Sequence, residues 1–140
     1  MRMIGAARLT MIVVLSAACL SLSIEAVAQQ TAPYVGKWLR VEKYANGSPI
    51  EVKETATLVL TENSFASDSK GVPGAECDNS GRLEISGDTM TMTVTESTCP
   101  SIITVGSVVK STFSVSTDNT RLTMTNTEWG YTYKEVLIRQ

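Results

Sequence analysis

The sequence predicts an all-β protein, specifically a small eight-stranded antiparallel up-and-down barrel. From residue 36 onward, strand-like runs alternate with turn residues, and the runs count to eight. No segment carries a convincing apolar period of 3.6 residues, so helices are not expected. Eight is also the number of meandering strands that closes around one small ligand or is filled by its own side chains.

In chain order, the first run, 36–44, stops at Asn46-Gly47-Ser48-Pro49, where the Asn-Gly pair favours the positive φ angles of a tight turn. Run 55–61 alternates, with Ala56, Leu58 and Leu60 on one face, and Glu62-Asn63 turns it into run 64–68. A loop containing Gly and Pro, 70–74, follows. Runs 82–86 and 89–95 join at Gly87-Asp88 as a hairpin. In the second of these, Met90, Met92 and Val94 face inward, and Thr89, Thr91, Thr93 and Thr95 face water. Run 103–115 places Ile103, Val105, Val109, Phe113 and Val115 on one parity. Thr117-Asp118-Asn119 turns it into run 121–127, with Leu122 and Met124 inward, and Glu128-Trp129-Gly130 leads to the last run, 131–139. The parity of that last run is ambiguous, because Leu137 lies on one face and Val136 and Ile138 on the other. The motif around Gly87-Asp88 echoes that around Thr117-Asp118, and both read as one hairpin used twice.

Ahead of the barrel, Arg2 and Arg8 precede an apolar stretch at 11–22, and Ala26-Val27-Ala28 offers small residues where a signal peptidase cuts. Residues 1–28 therefore read as a secretory signal peptide and 29–140 as one domain, beginning with a short flexible lead. The apolar stretch is short for a membrane span and is interrupted by Ser, so the mature chain is not expected to be membrane-embedded. Ala17-Ala18-Cys19 also ends like a bacterial lipobox, which would make Cys19 a lipid anchor to the outer membrane. Ser16 stands where a lipobox favours Leu, and the later cleavage site is the better one. The protein is accordingly expected in the periplasm or secreted.

Removing 28 of 140 residues leaves 112, with Arg2, Arg8 and Glu25 lost, so 12 basic and 14 acidic residues become 10 and 13 and the net charge is about −3. Nothing in the sequence resembles a basic stripe with interleaved aromatics, so no nucleic-acid partner is expected. A chain this short profits from covalent support. Cys77 and Cys99, the two cysteines left after cleavage, admit one connectivity in an oxidising compartment.

Gly36-Lys37-Trp38 opening the first strand, with Arg139 closing the last, resembles the lipocalin and calycin barrels. The resemblance implies that the Trp38 side chain plugs the closed end and that Arg139 lies across it, with Gly36 as the third structural residue. It is physically reasonable: an indole fills the taper of a small barrel, and a guanidinium stacks on its face while bonding carbonyls. A second resemblance runs through the middle of the chain. Asn46-Gly47 with Pro49, Cys77 with Asn79 and Gly81, and Thr98-Cys99-Pro100 look like the META-domain family of bacterial envelope and heat-stress proteins. Glu76 and Asp78 depart from that family's pattern, as does the last third of the chain.

The chain contains no His, which removes Ser-His-Asp and Cys-His catalysis and His-ligated metals. A Lys base or a carboxylate pair remains chemically open, but Glu51, Glu54, Glu62, Glu76, Asp78, Glu84, Asp88, Glu96 and Glu128 mostly fall at turns or on water-facing positions. The expectation is a protein that is not an enzyme, with no catalytic residue, metal or cofactor. The cluster Glu76-Cys77-Asp78-Asn79 lacks the alternating ligands and central Gly of a calcium loop, and no Gly-rich phosphate loop precedes a helix. What remains is an interior built from Leu58, Leu60, Met90, Met92, Phe113 and Met124. It would either bind a small apolar ligand, for which adaptable Met side chains are suited, or simply fill the barrel. Trp129, Tyr131 and Tyr133 either rim a mouth or anchor an envelope protein partner, or they pack on neighbouring strands with their polar tips wet.

Overall fold

A computed structural model describes residues 30–140. The signal segment read at 1–28, with Cys19, lies outside them. The described chain is all β: β1 (Gly36–Ala45), β2 (Ser48–Ile50), β3 (Thr55–Leu60), β4 (Ser64–Lys70), β5 (Cys77–Ser86), β6 (Thr89–Ser97), β7 (Val108–Val115), β8 (Arg121–Glu128) and β9 (Tyr131–Arg139). Every pairing is antiparallel. β1 pairs with β9 through Trp38↔Arg139 to Ala45↔Tyr133, which closes β1 and β3 to β9 into an eight-stranded barrel.

β2 is the extra strand. The turn at Asn46-Gly47 is a two-residue one, with φ of 48° and 81°, and the chain folds straight back so that Ala45 faces Ser48. Residues read as turn from the sequence thus form a short strand. β2 and β3 lie along the same edge of β1, at Lys43–Ala45 and Gly36–Leu39 respectively, and together act as one strand interrupted at residues 51–54.

Two strand starts differ from the sequence reading. β5 begins at Cys77 rather than at 82, because residues 77–79 continue to pair with β4. β7 begins only at Val108, and residues 103–107 are loop, with Val105 exposed. The proposed reuse of one hairpin also gives way. Ser86↔Thr89 leaves two residues in the β5–β6 turn, whereas the β7–β8 pairing ends at Val115↔Leu122 with six between.

Two β-bulges reset which side chains face inward. In β1 the register slips between Arg40 and Glu42, leaving Val41 as the extra residue. Trp38, Arg40 and Lys43 consequently share the inner face, and Glu42 and Tyr44 go outside. In the β5–β6 pair the register slips between Ser80 and Gly81. Gly81 permits that crossing, since a Cβ there would stand 1.9 Å from the Thr93 carbonyl oxygen.

The core gathers Trp38, Leu58, Leu60, Phe65, Leu83, Met90, Val94, Leu122, Met124 and Leu137, and Trp38, Leu60, Met90 and Leu122 are fully buried. The parity of β9 resolves with Leu137 inside. Val136 is nonetheless buried on the outer face, opposite Glu42 and Thr123. On that outer face the Tyr44 hydroxyl donates to Glu42 at 2.6 Å, and Lys134 Nζ stands 3.9 Å from the Tyr44 ring centroid.

Cys77 and Cys99 form a disulfide, with Cα atoms 5.3 Å apart and a sequence separation of 22. A loop of that size contributes about 3 kcal/mol in the chain-entropy description.

Candidate binding cavity

The two ends of the barrel are built differently. At one end the N-terminal lead folds across the barrel: Trp38 Nε1 donates to the Tyr34 carbonyl at 2.8 Å, and the Tyr34 ring meets Phe113 edge-on at 5.8 Å. Arg139 lies over the Trp38 ring, its guanidinium carbon 4.3 Å from the centroid. The same guanidinium donates to the carbonyls of Asn119 at 2.6 Å, Val35 at 2.9 Å and Pro33 at 2.5 Å. One side chain thereby ties together the lead, the β7–β8 turn and the last strand. Gly36 makes room for it, with φ of +147° and a virtual Cβ only 2.4 Å from Arg139 Nη1.

The six apolar residues singled out from the sequence divide between the two halves. Leu60 immediately precedes the β3–β4 turn, Met90 follows the Gly87-Asp88 turn, and Phe113 donates its backbone N–H to Asp88. All three belong to the packing of the closed half and are not in the lining of the cavity in the other half. Leu58, Met92 and Met124 do line it. With Val94, Ile103 and Leu137 they form the apolar wall of a cavity of about 320 Å³ in the other half. That volume is at the small end for ligand pockets. Larger depressions of about 370 and 420 Å³ lie on the outer surface of β3 to β6, among residues such as Val59, Ala66 and Ser80, and are open troughs.

The roof of the cavity is the 98–107 loop. Its hydrogen bonds begin at the disulfide: Ile102 and Ile103 donate their N–H groups to the Cys99 carbonyl at 2.8 and 2.9 Å, and Gly106 N–H reaches the Val94 carbonyl at 2.8 Å. The disulfide thus holds Ile102 and Ile103 over the cavity, in addition to stapling a small domain.

One wall is charged, and the sequence reading did not find it. Arg40 Nη1 donates to Glu135 Oε1 at 2.8 Å, and Nη2 donates to Glu54 Oε1, which also takes Lys43 Nζ at 3.1 Å. Arg40 and Lys43 come from β1 on either side of its bulge, Glu135 from β9, and Glu54 from the interruption between β2 and β3. The Arg40 and Glu54 side chains are only 14% and 18% exposed. Glu54, counted above among solvated carboxylates, is instead mostly covered. The hydrogen bond from Lys43, reinforced by a backbone hydrogen bond and the charges of Arg40 and Lys43, holds its pKa below the ordinary carboxylate value against the opposing effect of burial. Arg40 Nε is buried with no hydrogen-bond partner among the described residues. The available sequence signal was the inward parity that Arg40 shares with Trp38 and Glu135 shares with Leu137. The bulge that brings in Lys43 has no comparable signature.

At the rim, Trp129 and Gly130 form a two-residue turn with φ of 54° and 80°. Trp129 is 93% exposed, and Tyr131 and Tyr133 are exposed beside it, with ring centroids 6.4 Å apart. Trp129 is thus displayed almost whole, whereas Tyr131 and Tyr133 are partly covered.

Among the described residues no group of three His, Cys, Asp or Glu side chains is placed to hold a metal ion. Comparisons of the chain with protein-family models, with curated proteins and with solved structures find no match.

Proposed function

We propose that this protein is an exported, lipocalin-like binding protein, not an enzyme, that takes a small hydrophobic or amphipathic molecule into the open half of its barrel. The observation that carries the reading is the cavity of about 320 Å³ walled by Leu58, Met92, Val94, Ile103, Met124 and Leu137, at the end opposite a Trp38 plug. Arg139 across Trp38 supports the lipocalin-like assignment, and the disulfide is compatible with an oxidising, exported compartment. The apolar wall would supply affinity, and the hydroxyl and amide groups of Ser67, Asn79 and Ser107 in the same lining would orient a polar atom.

The test is the mass of the protein exported by its own host, recorded natively and after denaturation. A discrete surplus in the native mass, absent from a Met92→Trp variant that fills the cavity, is expected. A native mass without surplus, together with no uptake of a small apolar probe, would overturn the reading. The denatured mass also reports cleavage before Gln29 and any lipid on Cys19.

A second reading, capture of an envelope protein partner, draws on the fully displayed Trp129. A bulky residue in a left-handed turn with no packing to compensate is an expensive thing to keep for stability alone. Loss of a captured partner on Trp129→Ala would favour it.

A further inference from the structure

The charged groups at the mouth divide into a paired set and an unpaired one. A carboxylate entering the cavity would look for a cation, yet both Nη groups of Arg40 are engaged by Glu135 and Glu54, and its Nε is covered. Lys43 is bound to the same Glu54 oxygen. These two cations and two carboxylates balance each other. Glu128 is the remaining charge in the cavity lining, and it forms no ion pair among the described residues. The nearby cations are turned elsewhere. Lys134 sits over Tyr44 on the outer face, and Lys110 lies across the β7–β8 gap on the outward parity of β7 without reaching Glu128.

Two acceptors remain among the described residues, the Glu128 carboxylate and one oxygen of Glu135, and aromatic rings stand between them. Glu135 uses Oε1 for Arg40, and its Oε2 takes no hydrogen bond among the described residues. Tyr133 and Tyr131 follow Glu135 toward the rim on the same face of β9, and Tyr131 stands directly opposite Glu128 in the β8–β9 register. Two carboxylates thus bracket two exposed tyrosine rings at the top of an apolar cavity. Ring faces and carboxylates both attract an ammonium group and do nothing for a carboxylate.

Resting on the reading of the cavity as a ligand site, we propose that the mouth selects a cationic amphiphile, an ammonium group on a short apolar chain. The chain occupies the space between Leu58, Met92 and Met124, and the head group stays at the rim among Glu128, Tyr131, Tyr133 and Glu135.

Calorimetric titration of the purified protein with octyltrimethylammonium, 1-octanol and octanoate separates the elements of this proposal. At low salt the cation is expected to bind on the order of tenfold more tightly than octanoate and more tightly than octanol, as partly exposed ion pairs and cation–π contacts permit. That margin should narrow as salt is added. Glu128→Gln, at an exposed position outside the core, is expected to cut the cation's advantage over octanol by about threefold. Octanoate or octanol binding as tightly as the cation, or a cation advantage indifferent to Glu128→Gln, would overturn the charge selection while leaving the cavity a ligand site. Failure of all three to bind would remove the cavity reading, and the inference with it.

Discussion

The guanidinium of Arg139 stands 4.3 Å over the Trp38 ring while its Nη1 occupies the space where a side chain on Gly36 would begin. Three residues at opposite ends of the sequence therefore form one closure. Arg139→Lys keeps the charge but cannot span the carbonyls of Pro33, Val35 and Asn119, and should cost about 2 kcal/mol of unfolding free energy. Gly36→Ala should cost about as much from its backbone conformation and the clash together. In the double variant the penalties should sum to less than the two singles, because the shorter Lys side chain relieves the clash. Urea denaturation of the four proteins measures this, and strict additivity would contradict the steric coupling.

Glu54 holds the interrupted strand to β1 through Arg40 and Lys43, and its pKa is lowered on folding. A carboxylate of this kind contributes stability that is fully present above its unfolded pKa and lost as pH falls through the folded one. Glu54→Gln should therefore destabilise by about 1–2 kcal/mol at neutral pH. The gap from the parent should shrink as pH drops below the ordinary Glu range. A gap that stays constant into strong acid would show that Glu54 acts by packing rather than charge.

Asp118 organises the β7–β8 turn by accepting hydrogen bonds from Ser116 Oγ at 2.6 Å and from Thr120 Oγ1 and N at 2.8 and 3.1 Å. These bonds, the one from Ser116 first, hold its pKa at about 2 rather than 3.8. Its support of the turn should persist above the unfolded value and disappear between 3.8 and about 2 as acid is added. A carboxyl-carbon NMR titration is expected to place the midpoint near the low figure and to move it upward in Ser116→Ala.

Trp129 carries a left-handed φ of 54° with almost no burial in return. Asn tolerates that conformation better, so Trp129→Asn should raise stability by about 0.5–1 kcal/mol. Thermal unfolding would detect the gain. A loss of stability would mean that the indole packs in solution, and would weaken the reading of Trp129 as a displayed contact.

Much of the barrel was legible in the sequence because the relevant signals are local. Alternation in Met90-Thr91-Met92-Thr93-Val94 needs only a pleated strand with one wet face, and Gly87-Asp88 needs only the geometry of its own turn. The number of barrel strands follows from counting such runs, and the disulfide from the arithmetic of the two cysteines at 77 and 99, which admit one pairing. The Ser48–Ile50 strand was missed for the same reason. Its three exposed residues carry no apolar alternation, and it exists only because Asn46-Gly47 returns the chain along β1.

The site depended on what is not local. A bulge at Val41 in β1 and another at Thr95 in β6, opposite Ser80 and Gly81, each reverse the inward parity beyond them, so that Lys43 rather than Glu42 joins Arg40 inside. No period-2 reading survives an inserted residue that it cannot see. The same limit separated Leu58, Met92 and Met124, at the cavity, from Leu60, Met90 and Phe113, in the filled half. Their chemistry is alike, and what distinguishes them is height in a closed barrel. The sequence alone determined that the chain pleats, turns and buries one face. Tertiary closure decided where that face leaves a cavity and which charges border it, because both depend on strand register summed around the whole barrel.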